Sequence, residues 1–371
     1  MSRPIHLRGE NMLLGFVGLG AVVETAYLPA LRKLYGDSLC CVGFDVQPAK
    51  QPAGVTRCAS LAELLATPLD TLFITTASLH HLDVLEQALA APIARIVVEK
   101  PIVATLSQIE KLKTLLEQPD AADRVLALDH WMARNGAMQL ALGKLGAQWQ
   151  GDNPQQALVS HFSDVVKIDG FLQEPSGYNA TGEQIALNFA TGEPDTRELR
   201  HPDGVILDIG THVLAMLRET VRYLGGNDSM TLQVKSAKDR LGRNIIQGDL
   251  TTAEGEAHLQ GLISGVPLDI WLNKYAGPAG GQKGLRLYLR DGRIISYDRR
   301  GADDVLELID GDVVQRWCLP GTIYAHCLAE HILGTQSLFE RSPQEVSRTT
   351  QRRLDEVERL LILQQQLRGS H

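Results

Sequence analysis

Over the first third of the chain, short apolar runs alternate with stretches of helical period, the pattern of a parallel sheet with crossover helices. Met12–Val17, Leu39–Phe44, Thr71–Thr75, Arg95–Val98 and Val125–Leu128 read as strands, since each is a short run of residues that suit a buried sheet. Leu61–Ala66 and His81–Ala90 read as helices between them. Residues 1–131 are therefore expected to form a doubly wound, dinucleotide-binding domain.

The pattern changes after residue 131. A helix near Gly136–Gly146 is followed by a polar, glycine-containing stretch, Gly170–Asp203, and then by a run of strands. Asp291-Gly292 and Asp310-Gly311 each lie between two apolar runs, and Asp-Gly tolerates the positive φ that tight hairpins require. Ser342, Pro343 and Glu345 make a helix start in which serine caps, proline fits the first turn and glutamate reaches back. A helix over about 343–367 follows, with Leu354, Val357 and Leu361 on the face that packs on the body. The expected class is α/β, with residues 132–371 forming a second domain.

A chain of 371 residues exceeds what one core usually serves, which fits two domains. Its 44% hydrophobic and 22% charged residues are those of a globular protein. The net charge of -8, with no dense Lys/Arg run, disfavours nucleic acid as a partner. Apolar runs are strand-sized, too short for a membrane span, and Met1–Asn11 lacks the apolar centre of a secretion signal, so a cytoplasmic location is expected. The odd set Cys40, Cys41, Cys58, Cys318 and Cys327 has no CxxC pair, arguing against a disulfide framework and a structural zinc site.

Four clusters carry candidate chemistry. Gly18-Leu19-Gly20 follows the first strand and opens a helix at Ala21 and Val22; glycines there let a pyrophosphate approach the backbone. The third fingerprint position holds Val23, and a purely structural turn is the competing reading. Asp45 ends the second strand, near the offset of an acid that binds the adenosine ribose hydroxyls, which favours NAD over NADP, although Gln47 or Lys50 could rearrange to accept a ribose phosphate. A solvated strand-end aspartate competes with it. Glu99-Lys100-Pro101 closes a strand at the carboxyl edge where ligands bind in such sheets, and a lysine there can stabilise an alkoxide. Asp208 and His212 lie four apart, a helical spacing that puts both on one face; an imidazole can take a hydroxyl proton while a carboxylate orients it. A helix-start aspartate and a core histidine compete with that reading, whereas a zinc pair lacks a third His or a Cys nearby.

The ordered set Gly18-x-Gly20, Thr76-Ala77-Ser78 with His81, Glu99-Lys100-Pro101 and Asp208-x-x-x-His212 resembles the Gfo/Idh/MocA oxidoreductases. The resemblance implies an N-terminal Rossmann domain, a second domain with a large, mostly antiparallel open sheet, and a Lys100, Asp208 and His212 catalytic group. It also implies cofactor contacts from Gly18, Gly20, Ala21, Val22, Asp45, Thr76, Ala77, His81, Glu99 and Lys100. Thr76-Ala77-Ser78 departs from the Thr-Pro-Asn of many relatives. Asp129-His130-Trp131, followed by Arg134, is similar to the Asp-His-Tyr segment of glucose-6-phosphate dehydrogenases, which adds His130, Trp131 and Arg134 as candidate substrate contacts, with a structural strand end as the alternative. The expectation is an NAD(P)-dependent dehydrogenase of a sugar, sugar phosphate or cyclitol, using NAD with NADP as the alternative, without a metal and assembled as a homodimer or homotetramer. An NAD-sensing regulator, or a lyase or glycosidase using transient NAD oxidation, are the rival classes on this fold.

Overall fold

Leu13–Val17 forms β1 and Cys40–Phe44 forms β2, paired in parallel with Leu13 opposite Cys40. The computed structural model describes residues 12–151, 156–178, 180–182, 184–187, 193–194, 200–277, 281–301 and 303–369. The reading of Met1–Asn11 and parts of the stretch Gly170–Asp203 lie outside them. Thr56–Arg57 (β3), Thr71–Ile74 (β4), Ile96–Val98 (β5) and Val125–Ala127 (β6) complete a six-stranded parallel sheet of order β3-β2-β1-β4-β5-β6. The order reverses between β1 and β4, and ligands of doubly wound sheets bind outside the carboxyl ends of the strands at that switch point. Leu14, Phe16, Phe73 and Val97 are buried in one apolar core with Tyr27, Leu28 and Leu31. Phe16 stacks on Phe73 at 5.1 Å, and Tyr27 meets both rings edge-on.

The described residues divide into two units, and the first takes 12–133 together with 322–361. Assigning everything after residue 131 to a second domain therefore differs from the structure for one late segment. The physical reason is burial: Ile323, Leu328, Ile332 and Val346 fill the same core as Phe16 and Tyr27. Ser342 Oγ accepts from Glu345 N at 3.2 Å, capping the helix Pro343–Arg368. That helix lies along β6, where Thr350 Oγ1 donates to Val125 O at 2.7 Å and accepts from Ala127 N at 3.0 Å.

The second unit comprises the described residues of 134–321 and 362–369. Its strands are Val165–Tyr178 (β7), Gln184–Ala186 (β8), Met230–Lys238 (β9), Glu256–Ile263 (β10), Val266–Gly277 (β11), Gln282–Leu289 (β12), Ile294–Arg300 (β13), Asp303–Asp310 (β14) and Val313–Pro320 (β15). They form a sheet of order β15-β14-β13-β12-β7-β11-β10-β9, with β8 on the end of β7. Pairing is antiparallel except between β7 and β11. Both Asp-Gly hairpins form, with Gly292 at φ 93° and Gly311 at φ 56°. The helix Gly210–Tyr223 packs on β7, where a Cβ on Gly170 would meet Val213 Cγ1 at 2.6 Å and Leu217 Cδ1 at 2.8 Å. Glycine at 170 is what lets this helix approach the sheet.

Candidate functional site

The turn after β1 is shaped by Gly18. Its φ of 91° lies in the left-handed region, and a Cβ there would sit 2.7 Å from Thr76 N and 2.8 Å from the Thr75 carbonyl carbon. No other residue type fits without shifting the backbone. Thr75 Oγ1 donates to Gly18 O at 2.7 Å, tying the turn to the end of β4. Gly20 differs: a Cβ there would meet nothing within 4 Å, so the backbone beside it is open to an approaching group. Val23 and Tyr27 bound a π-helical turn that precedes the helix Leu28–Tyr35. This wider turn houses the buried Val23 where the fingerprint has its third glycine. Ala21 is exposed and Val22 half-buried. A dinucleotide fits this donor set: a tight glycine turn and open backbone lie at the switch point of a parallel sheet.

Asp45, just beyond β2, accepts from Leu19 N at 2.7 Å through Oδ2 and from Gln47 N at 2.8 Å through Oδ1. It is thus tied to the glycine turn itself. Arg57, which the sequence reading passed over, reaches the same corner, donating to the carbonyls of Asp45 and Lys50. Its only signal in sequence is a lone cation two residues past an isolated valine.

Thr76 is half-buried and Ala77 exposed in the turn after β4. His81 is buried, with Nδ1 2.9 Å from Pro101 O and Nε2 3.0 Å from Thr76 O. Burial pushes its pKa down, against the opposing pull of these carbonyls. The ring therefore joins the Thr76 turn to the segment after Lys100, and both its nitrogens face protein backbone.

Glu99 is buried at the end of β5. Its Oε1 accepts from Tyr27 Oη at 2.6 Å and its Oε2 from Lys100 N at 2.9 Å. Burial pushes its pKa up to about 7, despite the lowering by the Tyr27 hydroxyl and the Lys100 charge. Burial likewise raises Tyr27 well above the ordinary phenol value. Lys100 is half-buried at the carboxyl edge of β5. Beyond β6, Asp129 Oδ1 accepts from Trp131 N at 2.9 Å, and His130 stacks on Tyr324 at 4.1 Å. Trp131 is buried.

Asp208, His212 and Arg134 belong to the second unit. The sequence spacing placed Asp208 and His212 on one helix; the structure has two in succession, Val205–Asp208 and Gly210–Tyr223, with Ile209 between them at φ -109°. His212 is buried in the first turn of the longer helix. Asp208 Oδ2 is 2.7 Å from Lys274 Nζ. Lys274, on β11, escaped the sequence reading because its partner lies 66 positions away. Arg134 is buried in the same unit, donating to Lys283 O at 3.1 Å and lying 3.5 Å from Asp304 and over the Tyr297 ring.

Together the six-stranded sheet and its glycine turn define a dinucleotide-binding protein. Residues 12–125 match the family profile GFO_IDH_MocA, described as an oxidoreductase family with an NAD-binding Rossmann fold. Over these residues the chain is similar to the NAD-binding Rossmann domain of the Gfo/Idh/MocA oxidoreductases. Among solved structures, the fold is similar to that of the 3-ketoreductase KijD10 of Actinomadura kijaniata, in complex with TDP-benzene and NADP, at TM-score 0.59 and 15% identity over 94% of this chain and 96% of that one. It is also similar to the UDP-N-acetylglucosamine 3-dehydrogenase GnnA of Acidithiobacillus ferrooxidans, at 0.59 and 16% over 95% and 99%. A third similar fold is the dehydrogenase MviM of Clostridium difficile, at 0.58 and 14% over 97% and 98%. No curated protein matches the sequence. Among the described residues, no helix is long and apolar enough to cross a membrane.

Proposed function

We propose that this protein is an NAD(P)-dependent oxidoreductase that moves a hydride between nicotinamide and a carbinol or carbonyl carbon of a sugar-like substrate. The observation that supports it most is that the Gly18 turn, the Thr76 turn and Lys100 occupy the carboxyl ends of β1, β4 and β5, three adjacent strands of one sheet. Gly18, Gly20, Ala21 and Val22 would hold the pyrophosphate, Asp45 the adenosine ribose, and the Thr76-Ala77 turn the nicotinamide end. His81 supports that turn through the Thr76 carbonyl. Bound NAD(P) supplies the hydride acceptor. In oxidation, His212 takes the hydroxyl proton, Lys100 stabilises the developing oxyanion, and Asp208 maintains orientation; reduction reverses these roles. The named ligands and activities of KijD10 and GnnA favour sugar nucleotides as a substrate class alongside sugars, sugar phosphates and inositols.

A panel of those four classes is incubated with NAD and with NADP while absorbance of the reduced cofactor is followed. Lys100→Met and His212→Asn should each lower turnover by roughly a hundredfold or more while leaving NAD affinity nearly intact. Folded, NAD-binding variants with wild-type turnover would refute the assignment. Substrate cleavage without net NADH formation would favour a lyase or glycosidase instead.

A further inference from the structure

Lys274 lies on a central strand of the mixed sheet, where its side chain is only 8% exposed. Desolvation makes a buried ammonium costly unless an anion accompanies it. Among the described residues, the carboxylate beside it is that of Asp208, with Nζ 2.7 Å from Oδ2, and Asp208 itself is one-third exposed. The surrounding backbone fixes both partners. Lys274 N donates to Gly255 O at 3.0 Å, and Val205 N, one turn before Asp208, donates to Glu254 O at 2.9 Å. The adjacent residues Glu254 and Gly255 thus hold the strand that carries the cation and the helix that carries the anion. Glu254 is anchored in turn: its carboxylate is fully buried against Arg368 and accepts from Gln364 Nε2 at 3.1 Å. A Cβ on Gly204, the residue opening the helix of Asp208, would sit 1.8 Å from Glu254 Oε2, so the packing leaves no slack there.

We propose that Lys274 is a positioning residue for the redox reaction: with Nζ 2.7 Å from Asp208 Oδ2 it fixes the carboxylate in orientation, so that Asp208 orients rather than accepts a proton. The inference rests on the oxidoreductase reading for its consequence in turnover, but the coupling itself needs no substrate. The pair is one unit: a carboxylate at the end of the helix Val205–Asp208 held by a buried cation on β11.

Two measurements test it on the full-length protein. The first is a double-mutant cycle in urea unfolding with Lys274→Met, Asp208→Asn and the double variant. Asp208→Asn strands the buried ammonium and should raise the unfolding equilibrium constant about a hundredfold or more. Adding Lys274→Met to it should recover most of that loss. Additive effects would overturn the pairing, whatever the enzyme does. If Asp208→Asn does not fold, recovery of a folded protein in the double variant is the expected result, and an unfolded double variant beside a folded Lys274→Met overturns the pairing. The second is steady-state kinetics on whichever panel member is oxidised fastest. Lys274→Met should lower kcat by about tenfold to a hundredfold with KM changed far less, because misplacement at the reacting centre acts on the transition state. Lys274→Arg, which keeps the charge, should restore most of kcat. Wild-type kcat in Lys274→Met, or equal loss in Lys274→Met and Lys274→Arg, overturns the positioning role. Failure of the panel to yield any substrate would count against the oxidoreductase reading while leaving the urea cycle to decide the pairing.

Discussion

Glu99 offers a quantitative test of how the cofactor unit is built. Its carboxyl is buried between Tyr27 Oη and the Lys100 amide, and its pKa moves from 4.5 to about 7, first because of burial. An acid that holds its proton more tightly when folded stabilises the folded state least where it must ionise. Its cost is small below about pH 4.5, grows as pH rises to about 7, and is constant beyond. At about 1.4 kcal/mol per tenfold change in proton affinity, the full cost is about 3 kcal/mol, of which about 2.5 kcal/mol develops between about pH 5 and 8. Glu99→Gln keeps the shape and cannot ionise. Its stability relative to wild type should therefore rise by about 2.5 kcal/mol across that interval, whatever constant offset the amide brings. Urea unfolding of both proteins at several pH values, followed by circular dichroism, measures the difference. A flat difference, or one that shifts toward wild type as pH rises, would show that Glu99 ionises without penalty and that its burial is relieved by partners other than Tyr27 and Lys100.

Two further outcomes follow from the same geometry. NAD should bind more tightly than NADP, and Asp45→Ala should narrow the preference while weakening NAD, since the carboxylate also holds the Leu19 and Gln47 amides; tighter NADP binding by wild type in parallel titrations would refute this. The protein should assemble as a homodimer or homotetramer through the sheet face that leaves Trp271 43% exposed, and light scattering at micromolar concentration showing only a 40.6 kDa particle would overturn that.

The centre of the parallel sheet was legible because β4, β5 and β6 are buried along their whole length, so each appears as an apolar run between polar residues. Leu61–Ala66 and His81–Ala90 form as helices at the positions their periodicity predicts. Three features escaped. β3 has two residues, too few for a pattern. β7 is central yet reads as polar, because Gly170 trades a side chain for closeness to the helix Gly210–Tyr223 and Lys167 and Asp169 answer partners on neighbouring strands. The segment 322–361 follows the strands of the second unit but fills the core of the first, an exchange that periodicity cannot show because it reports which face is apolar and not what covers it.

The chemistry-bearing residues divide in the same way. Gly18, Thr76 and Lys100 were legible because local connectivity alone puts them at strand ends: a residue that follows a parallel strand is at the carboxyl edge whatever the rest of the fold does. Tyr27 and Lys274 were not, because each matters only through a charge that is distant in sequence, Glu99 at 72 positions and Asp208 at 66. A motif records the groups that meet a ligand; the groups that set their protonation and orientation are selected by burial and distance, and many backbone routes can bring a phenol or an ammonium to the same carboxylate. Sequence spacing therefore under-reports the electrostatic support of a site. Glu99 and Asp208 illustrate the two forms this support takes here, one acid raised by burial beside a phenol and the other matched by a buried cation.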